Sequence, residues 1–206
     1  MANFENKSIG VFIDGGYFAK VNEALERQMK MSVNIKALFR FIPELIGQMD
    51  DMDSKKLFIT ESHYYRGRYR VNDAQNKHLL FSERLFEDSL IENDIIIHYK
   101  HLREVNGSHG PTVIEKGIDT WFALDTYEMT LYRDFDYVVL ISGDADHEML
   151  AKKLKALKTH VILLTWDPAD TGSTSRLLSE EACTHIELKK LTDKDPSLIK
   201  RLCNQL

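Results

Sequence analysis

The stretch SIGVFIDGGYF, residues 8–18, decides the fold. Residues 8–13 are almost all apolar, which predicts a short strand buried on both faces, as strands are in a parallel sheet. Asp14 closes the run, Gly15 and Gly16 make the turn, and a helix is expected from about Tyr17. A second stretch repeats this grammar: an apolar strand at 137–141 runs into Ser142-Gly143-Asp144-Ala145-Asp146, where another helix should start. Parallel strands end on one edge of their sheet, so the carboxylates that follow them are expected to meet there.

Working outward, the periodicity predicts a helix over 33–49 with Pro43 as a potential kink. A strand follows at 56–60, a helix at 72–91 and a strand at 95–99. Residues 102–111, carrying Asn106-Gly107, Gly110 and Pro111, read as a loop or hairpin bordering the site as a flap. Beyond it come a helix at 115–132, the strand at 137–141, a helix at 144–158 and a strand at 160–165. A helix over 171–182, an edge strand at 185–188 and a final helix after Pro196 complete the chain. Strands separated by helices imply βαβ units and an α/β fold with a mostly parallel sheet. One domain is expected over 1–190, followed by a helical tail over 191–206 tethered through 192–196.

The carboxylates carry the chemistry. Gathered acids repel unless a cation or a shared proton neutralises them, and an oxygen-only donor set suits Mg²⁺ or Mn²⁺, which can bridge to a substrate phosphate. Asp14, Asp144 and Asp146 are the candidates at strand ends, with helix capping as the competing role for each. On the helix expected from Glu115, the 100° step places Asp119 and Glu115 on one flank, able to reach the sheet edge, and Asp125 inside the apolar stripe. Lys116 could contact phosphate or offset the acids. His147 reads as a capping or surface residue. The run Tyr64-Tyr65-Arg66-Gly67-Arg68-Tyr69-Arg70 interleaves cations with aromatic rings, the combination that binds single-stranded nucleic acid; a solvated loop or a partner surface is the competing reading.

Composition bounds the rest. At 43% hydrophobic and 29% charged residues, the 206-residue chain is neither disordered nor collagen-like. Its net charge of -5 argues against a generally basic nucleic-acid coat and leaves local patches possible. Cys183 and Cys203 stand at no metal-ligand spacing, which fits a reducing cytoplasm better than a disulfide framework. No stretch approaches the roughly 18 apolar residues of a spanning helix, so no membrane role is expected. Tyrosines and tryptophans could serve a homodimer contact or the core.

FIDGGYF, EKGIDTWFALD and ISGDADHEML together resemble the NYN domain family, in its LabA-like bacterial branch, related to PIN-domain nucleases; the resemblance covers residues 7–190. It implies a PIN-like three-layer α/β/α sandwich with five or six strands. It further implies metal-dependent ribonuclease activity, with the family's acidic positions falling on Asp14, Asp119, Asp144 and Asp146. RNA would be the partner, and Lys116, Tyr17, Arg66, Arg68 and Arg70 its contacts. Two positions depart from the family pattern: Tyr17 stands where the first motif usually has Asn, and Cys183 follows Ala182 where an Asp is common. A catalytically weak or inactive module that binds RNA or a protein partner is therefore the alternative. A haloacid-dehalogenase-type phosphatase needs a second Asp two residues after the first, and position 16 is Gly.

Overall fold

The computed structural model describes residues 6–107 and 110–206, and side chains outside 104–112 within them. In chain order the elements are β1 (Lys7–Asp14), α1 (Gly15–Met29), β2 (Met31–Val33), α2 (Ile35–Met49), β3 (Leu57–Arg68), α3 (Val71–Asn76) and α4 (Leu80–Ile91). They continue with β4 (Ile96–His101), β5 (Arg103–Gly107), β6 (Gly110–Ile114), α5 (Ile118–Arg133), β7 (Tyr137–Ile141) and α6 (Glu148–Ala156). The last are β8 (His160–Thr165), α7 (Arg176–Glu181), β9 (Thr184–Glu187), α8 (Leu188–Lys194), α9 (Ser197–Leu202) and β10 (Cys203–Gln205).

Six strands form one sheet in the order β4-β3-β1-β7-β8-β9, and every pairing in it is parallel. Alternation along each strand builds two cores. Ile9, Val11, Ile13, Val139, Ile141, Ile162 and Leu164 face the layer of α1, α2, α4, α8 and α9. Phe12, Val138, Leu140, Val161 and Leu163 face α5, α6 and α7. This is the expected three-layer α/β/α sandwich. The chain proceeds from β1 outward through β3 to β4, then returns to β7 on the other side of β1. The order therefore reverses between β1 and β7, the place where α/β sheets open a crevice beyond their strand ends.

Several boundaries differ from the sequence expectation. β3 does not stop near residue 60 but runs to Arg68, so most of the Tyr/Arg run is strand, with Tyr64 and Tyr65 fully buried. Tyr64 packs against Phe18 and Phe86, and Tyr65 against Trp121 and Phe122, so neither ring is free to stack on a base. The helix expected over 72–91 is two helices, divided where His78 adopts φ 58°. The helix begun by Asn34, whose side chain accepts from Ala37 N, runs unbroken through Pro43. Where a loop or hairpin was expected over 102–111, β5 and β6 pair antiparallel; residues 108 and 109 lie outside the described residues.

The segment after residue 191 is packed. Leu202 is fully buried, Asn34 N donates to Leu202 O at 2.8 Å, and β10 pairs antiparallel with β2. Trp166 is buried and Trp121 packs on the rings of Tyr65 and His98, so both tryptophans are committed within the fold. Among the described residues no helix is long and apolar enough to cross a membrane.

Candidate functional site

A cavity of about 410 Å³ opens beyond the ends of β1 and β7, lined by Asp14, Glu115, Asp119, Asp144, Lys20 and Ser173 among others. Each acid arrives there for a local reason. Asp14 is the last residue of β1 and the N-cap of α1: its Oδ1 accepts from Tyr17 N at 3.0 Å and its Oδ2 from Ser142 Oγ at 2.9 Å. These two bonds fix the carboxylate across the β1–β7 seam while leaving it only 8% exposed. Asp144 caps the single 3₁₀ turn at Ala145–His147, accepting from Asp146 N at 3.0 Å, and its own N–H donates to the same Ser142 hydroxyl at 3.2 Å. Capping and pocket lining are thus compatible at both positions rather than alternatives.

Asp119 lies in the first turn of α5, where a carboxylate is favoured by the helix dipole. Glu115 was expected one turn behind it on the same helix. Instead Gly117, at φ 79°, ends the extended chain from β6 and starts α5 only at Ile118, so Glu115 and Lys116 precede the helix. Glu115 still reaches the cavity, because its Oε1 accepts from Gly67 N at 2.5 Å and ties the approach to α5 to the end of β3. Lys116 is exposed and outside the cavity lining.

The electrostatics follow from crowding. Partial burial, then the charges of Asp14 and Asp144, raise the Asp119 carboxyl above its ordinary range, His147 opposing them. Burial also raises Glu115; the Gly67 N–H pulls it back, and Asp119 and Asp14 push it further up. Asp146 is exposed, lies outside the cavity lining and affects Asp119 less than Asp14 or Asp144 do.

Among the described residues no three His, Cys, Asp or Glu side chains stand close enough together to hold a metal ion directly. The donor set is nonetheless all oxygen and net negative, with no imidazole or thiolate lining the cavity. It fits a hard cation of the Mg²⁺ type, which is usually held by one or two carboxylates and keeps several waters. Asp14, Asp119 and Asp144 line the cavity and are the carboxylates from which the one or two would be drawn.

The other expected contacts divide. Tyr17 lines the cavity with its ring, but it is buried and its hydroxyl is engaged with the Trp166 backbone, donating to the carbonyl at 3.2 Å and accepting from the N–H at 3.0 Å. That ring presses on Gly143, where an added Cβ would lie 2.5 Å from both Tyr17 Cε2 and Ser173 O, so only glycine fits. Arg66 and Arg68 line a second cavity of about 500 Å³, whereas Arg70 is exposed and outside it. Arg66 Nη1 reaches Tyr64 Oη at 3.5 Å. Asp125 turns away from the site: Tyr65 Oη donates to its Oδ2 at 3.3 Å.

Two residues escaped sequence reading. Lys20 lines both cavities, exposed and without an ion pair among the described residues; its only sequence signal is a position one turn past Gly16 on α1. His147, expected to be a capping or surface residue, stands at the N-cap of α6 but makes no side-chain cap bond; it is 1% exposed and packs edge-on to Phe122 at 4.4 Å, and neither ring nitrogen has a hydrogen-bond partner among the described residues.

The family model described as the NYN domain matches residues 8–189. No curated protein and no solved structure matches the chain.

Proposed function

The chain belongs to the NYN domain family, and from the chemistry of its pocket we propose that it is a divalent-metal-dependent ribonuclease hydrolysing RNA phosphodiester bonds. The observation that carries this reading is the meeting of Asp14, Glu115, Asp119 and Asp144 around one open cavity at the strand-order reversal. NYN and PIN-like nucleases typically use divalent metals, and Mg²⁺ or Mn²⁺ bound by Asp14, Asp119 and Asp144 would supply charge neutralisation and a more acidic water. Asp146, outside the lining, would act through its charge and through its N–H on Asp144.

The chain's own groups do the rest. Asp14 is pre-oriented by Tyr17 N and Ser142 Oγ, so it needs no rearrangement to face substrate. Glu115, whose proton affinity is raised, takes the proton from the attacking water at Oε2 while Gly67 N holds Oε1. The water oxygen forms the new bond to phosphorus as the ester P–O bond breaks, and the leaving oxygen is protonated from solvent. Lys20 sets a positive charge beside the phosphate, with Arg66 and Arg68 further along and Arg70 and Lys116 at the periphery. A reducing compartment such as the cytoplasm suits the free Cys183 and Cys203.

Purified protein with Mn²⁺ should cut unstructured RNA, and the double variant Asp14→Asn, Asp144→Asn should not. Equal cutting by both would end the proposal. A binding module without catalysis is favoured by one observation, the burial of Tyr17 where the family usually carries Asn. It predicts RNA binding without cleavage at any Mn²⁺ concentration.

A further inference from the structure

A chain of polar side chains runs between the sheet and α5, outside the lining of both cavities. His63 on β3 and His98 on β4 face each other, Nδ1 to Nε2, at 3.0 Å. Their outer nitrogens look at carboxylates: His63 Nε2 stands 3.5 Å from Glu61 Oε2, and His98 Nδ1 stands 3.9 Å from Asp125 Oδ2 on α5. Aromatic rings hold the pair in place. Phe12 stacks on His63 at 5.2 Å, Tyr65 stacks on His98 at 4.3 Å, and Trp121 meets His98 edge-on. With His63 only 2% exposed, a bond lost there is not readily replaced by water.

Two imidazoles offer four nitrogens, and the protons they carry decide which contacts exist. When both rings are neutral, the inner bond has its one donor and one acceptor, and one outer nitrogen is bare. A third proton fits, because each outer N–H then faces a carboxylate. A fourth does not, since both inner nitrogens would carry hydrogen across 3.0 Å and two imidazoliums would repel each other. Among the described residues, the charged and titratable groups around the pair are Glu61 and Tyr65 on β3 and Asp125 and Arg133 on α5. β1 presents Phe12, and Lys100 on β4 reaches instead toward Gly117.

The place of the pair in the fold gives its splitting a consequence. β4 leads into the segment 102–117 and α5 follows it, and that segment carries Glu115 to the wall shared by both cavities. His98 sits on the first of these elements and Asp125 on the second. Where the segment departs, Leu102 N donates to Arg68 O at 3.0 Å.

We propose that His63 and His98 form a proton-operated latch, which pins both ends of the segment 102–117 against β3 and releases them when both rings are protonated. The latch does not depend on the ribonuclease reading. Burial lowers the proton affinity of both rings, so the folded pair holds fewer protons than two free histidines. It is closed above the ordinary histidine range, about 6.5, and opens as pH falls below it. Acid then slackens the wall that Glu115 supplies, while β8, across the sheet, keeps its bonds.

Amide hydrogen exchange of the full chain tests this without substrate or metal, read by NMR at pH 7 and pH 5 and corrected for the intrinsic pH dependence of exchange. The reporter is the Leu102 amide, whose acceptor is a backbone carbonyl and does not titrate; the amides of β8 are the reference. Relative to β8, Leu102 should exchange about tenfold faster at pH 5, the worth of about one hydrogen bond. The His63→Gln, His98→Gln variant should lose that difference. Asp125→Asn takes one negative charge from the pair and should move the onset to lower pH. It keeps an acceptor for the Tyr65 hydroxyl, so it decides the matter even where the double variant fails to fold. The latch is overturned by a Leu102 amide indifferent to pH, by a loss that β8 shares equally, or by an effect that persists in the double variant. It is overturned as well by an onset that Asp125→Asn leaves unmoved or raises.

Discussion

Replacing Asp14 in two ways separates its structural role from its chemical one. Its carboxylate makes two bonds, capping α1 through Tyr17 N and receiving the Ser142 hydroxyl, in a nearly dry position. Asp14→Ala loses both. An N-cap lost to alanine costs about 1 kcal/mol, and stranding the buried Ser142 hydroxyl adds about 1 kcal/mol, for a sum of about 2 kcal/mol. In a domain of this size that lowers Tm by roughly 4–8 °C. Asp14→Asn keeps an equally good cap acceptor. Its amide turns an N–H toward Ser142 Oγ, and the lost charge relieves repulsion on Asp119 and Glu115, so stability should stay within about 1 kcal/mol of the parent. In the proposed ribonuclease reaction, cleavage should by contrast fall at least about 100-fold in both variants, because that reaction draws on the negative charge of the pocket. Urea unfolding and cleavage of a fluorescent RNA with Mn²⁺ measure the two quantities on the same preparations. The Asp119 carboxyl should also titrate at lower pH in Asp14→Asn, read by NMR. The reasoning is refuted if Asp14→Asn unfolds as readily as Asp14→Ala, or if it cleaves at the parent rate.

Other outcomes follow from individual contacts. Tyr17→Phe strands both the N–H and the carbonyl of Trp166, so it should cost about 1–3 kcal/mol in urea unfolding; a neutral result would mean water reaches that backbone. Leu202→Ala, at a fully buried position, should cost about 2–5 kcal/mol, whereas a freely detachable tail would lose nothing. Burial lowers the proton affinity of both His63 and His98, and the 3.0 Å bond between His63 Nδ1 and His98 Nε2 needs one donor and one acceptor. The folded state therefore binds fewer protons than the unfolded one, so their contribution is present above the ordinary histidine range, about 6.5, and is lost as pH falls below it. Urea titrations at pH 7 and pH 5 should show the drop, and it should shrink in a His63→Gln, His98→Gln variant. Gly143→Ala should cost about 1–3 kcal/mol, because the new methyl meets Ser173 O and Tyr17 at 2.5 Å; full stability would show the wall to be soft.

What sequence reading recovered, and what it missed, divides along physical lines. The strand at 137–141 and the strand at 160–165 are continuous apolar runs bounded by polar residues, and the structure reproduces both ranges. Asp14 and Asp144 were legible as lining residues because an acid that closes a buried strand, or follows one by a short Ser-Gly turn, has few places to go. β3 was misjudged because Tyr64 and Tyr65 advertise polarity in letters while burying their rings, and Arg66 and Arg68 alternate with Tyr65 and Gly67 as strand residues should. Glu115 was placed on a helix that Gly117 delays, since a left-handed glycine reads equally well inside a weak helix or before a firm one. Lys20 had no local signal: it differs from other exposed lysines only in what lies across the cleft, which is set by sheet order. The β2–β10 pairing was invisible because three-residue strands carry no periodicity.

That small antiparallel pair has a consequence for how the chain acquires its shape. Asn34, at the start of α2, meets Asn204 across a separation of 170 positions. At a synthesis rate of roughly 5–20 residues per second, β2 waits on the order of 10–30 s for its partner to be translated. Throughout that interval the edge of Met31–Val33 and the apolar floor that Leu202 will cover face the solvent. An emerging chain would therefore pass through a period in which the main sheet can form while one seam stays open, and stalling the ribosome before residue 202 should leave a species that proteases nick near residue 31.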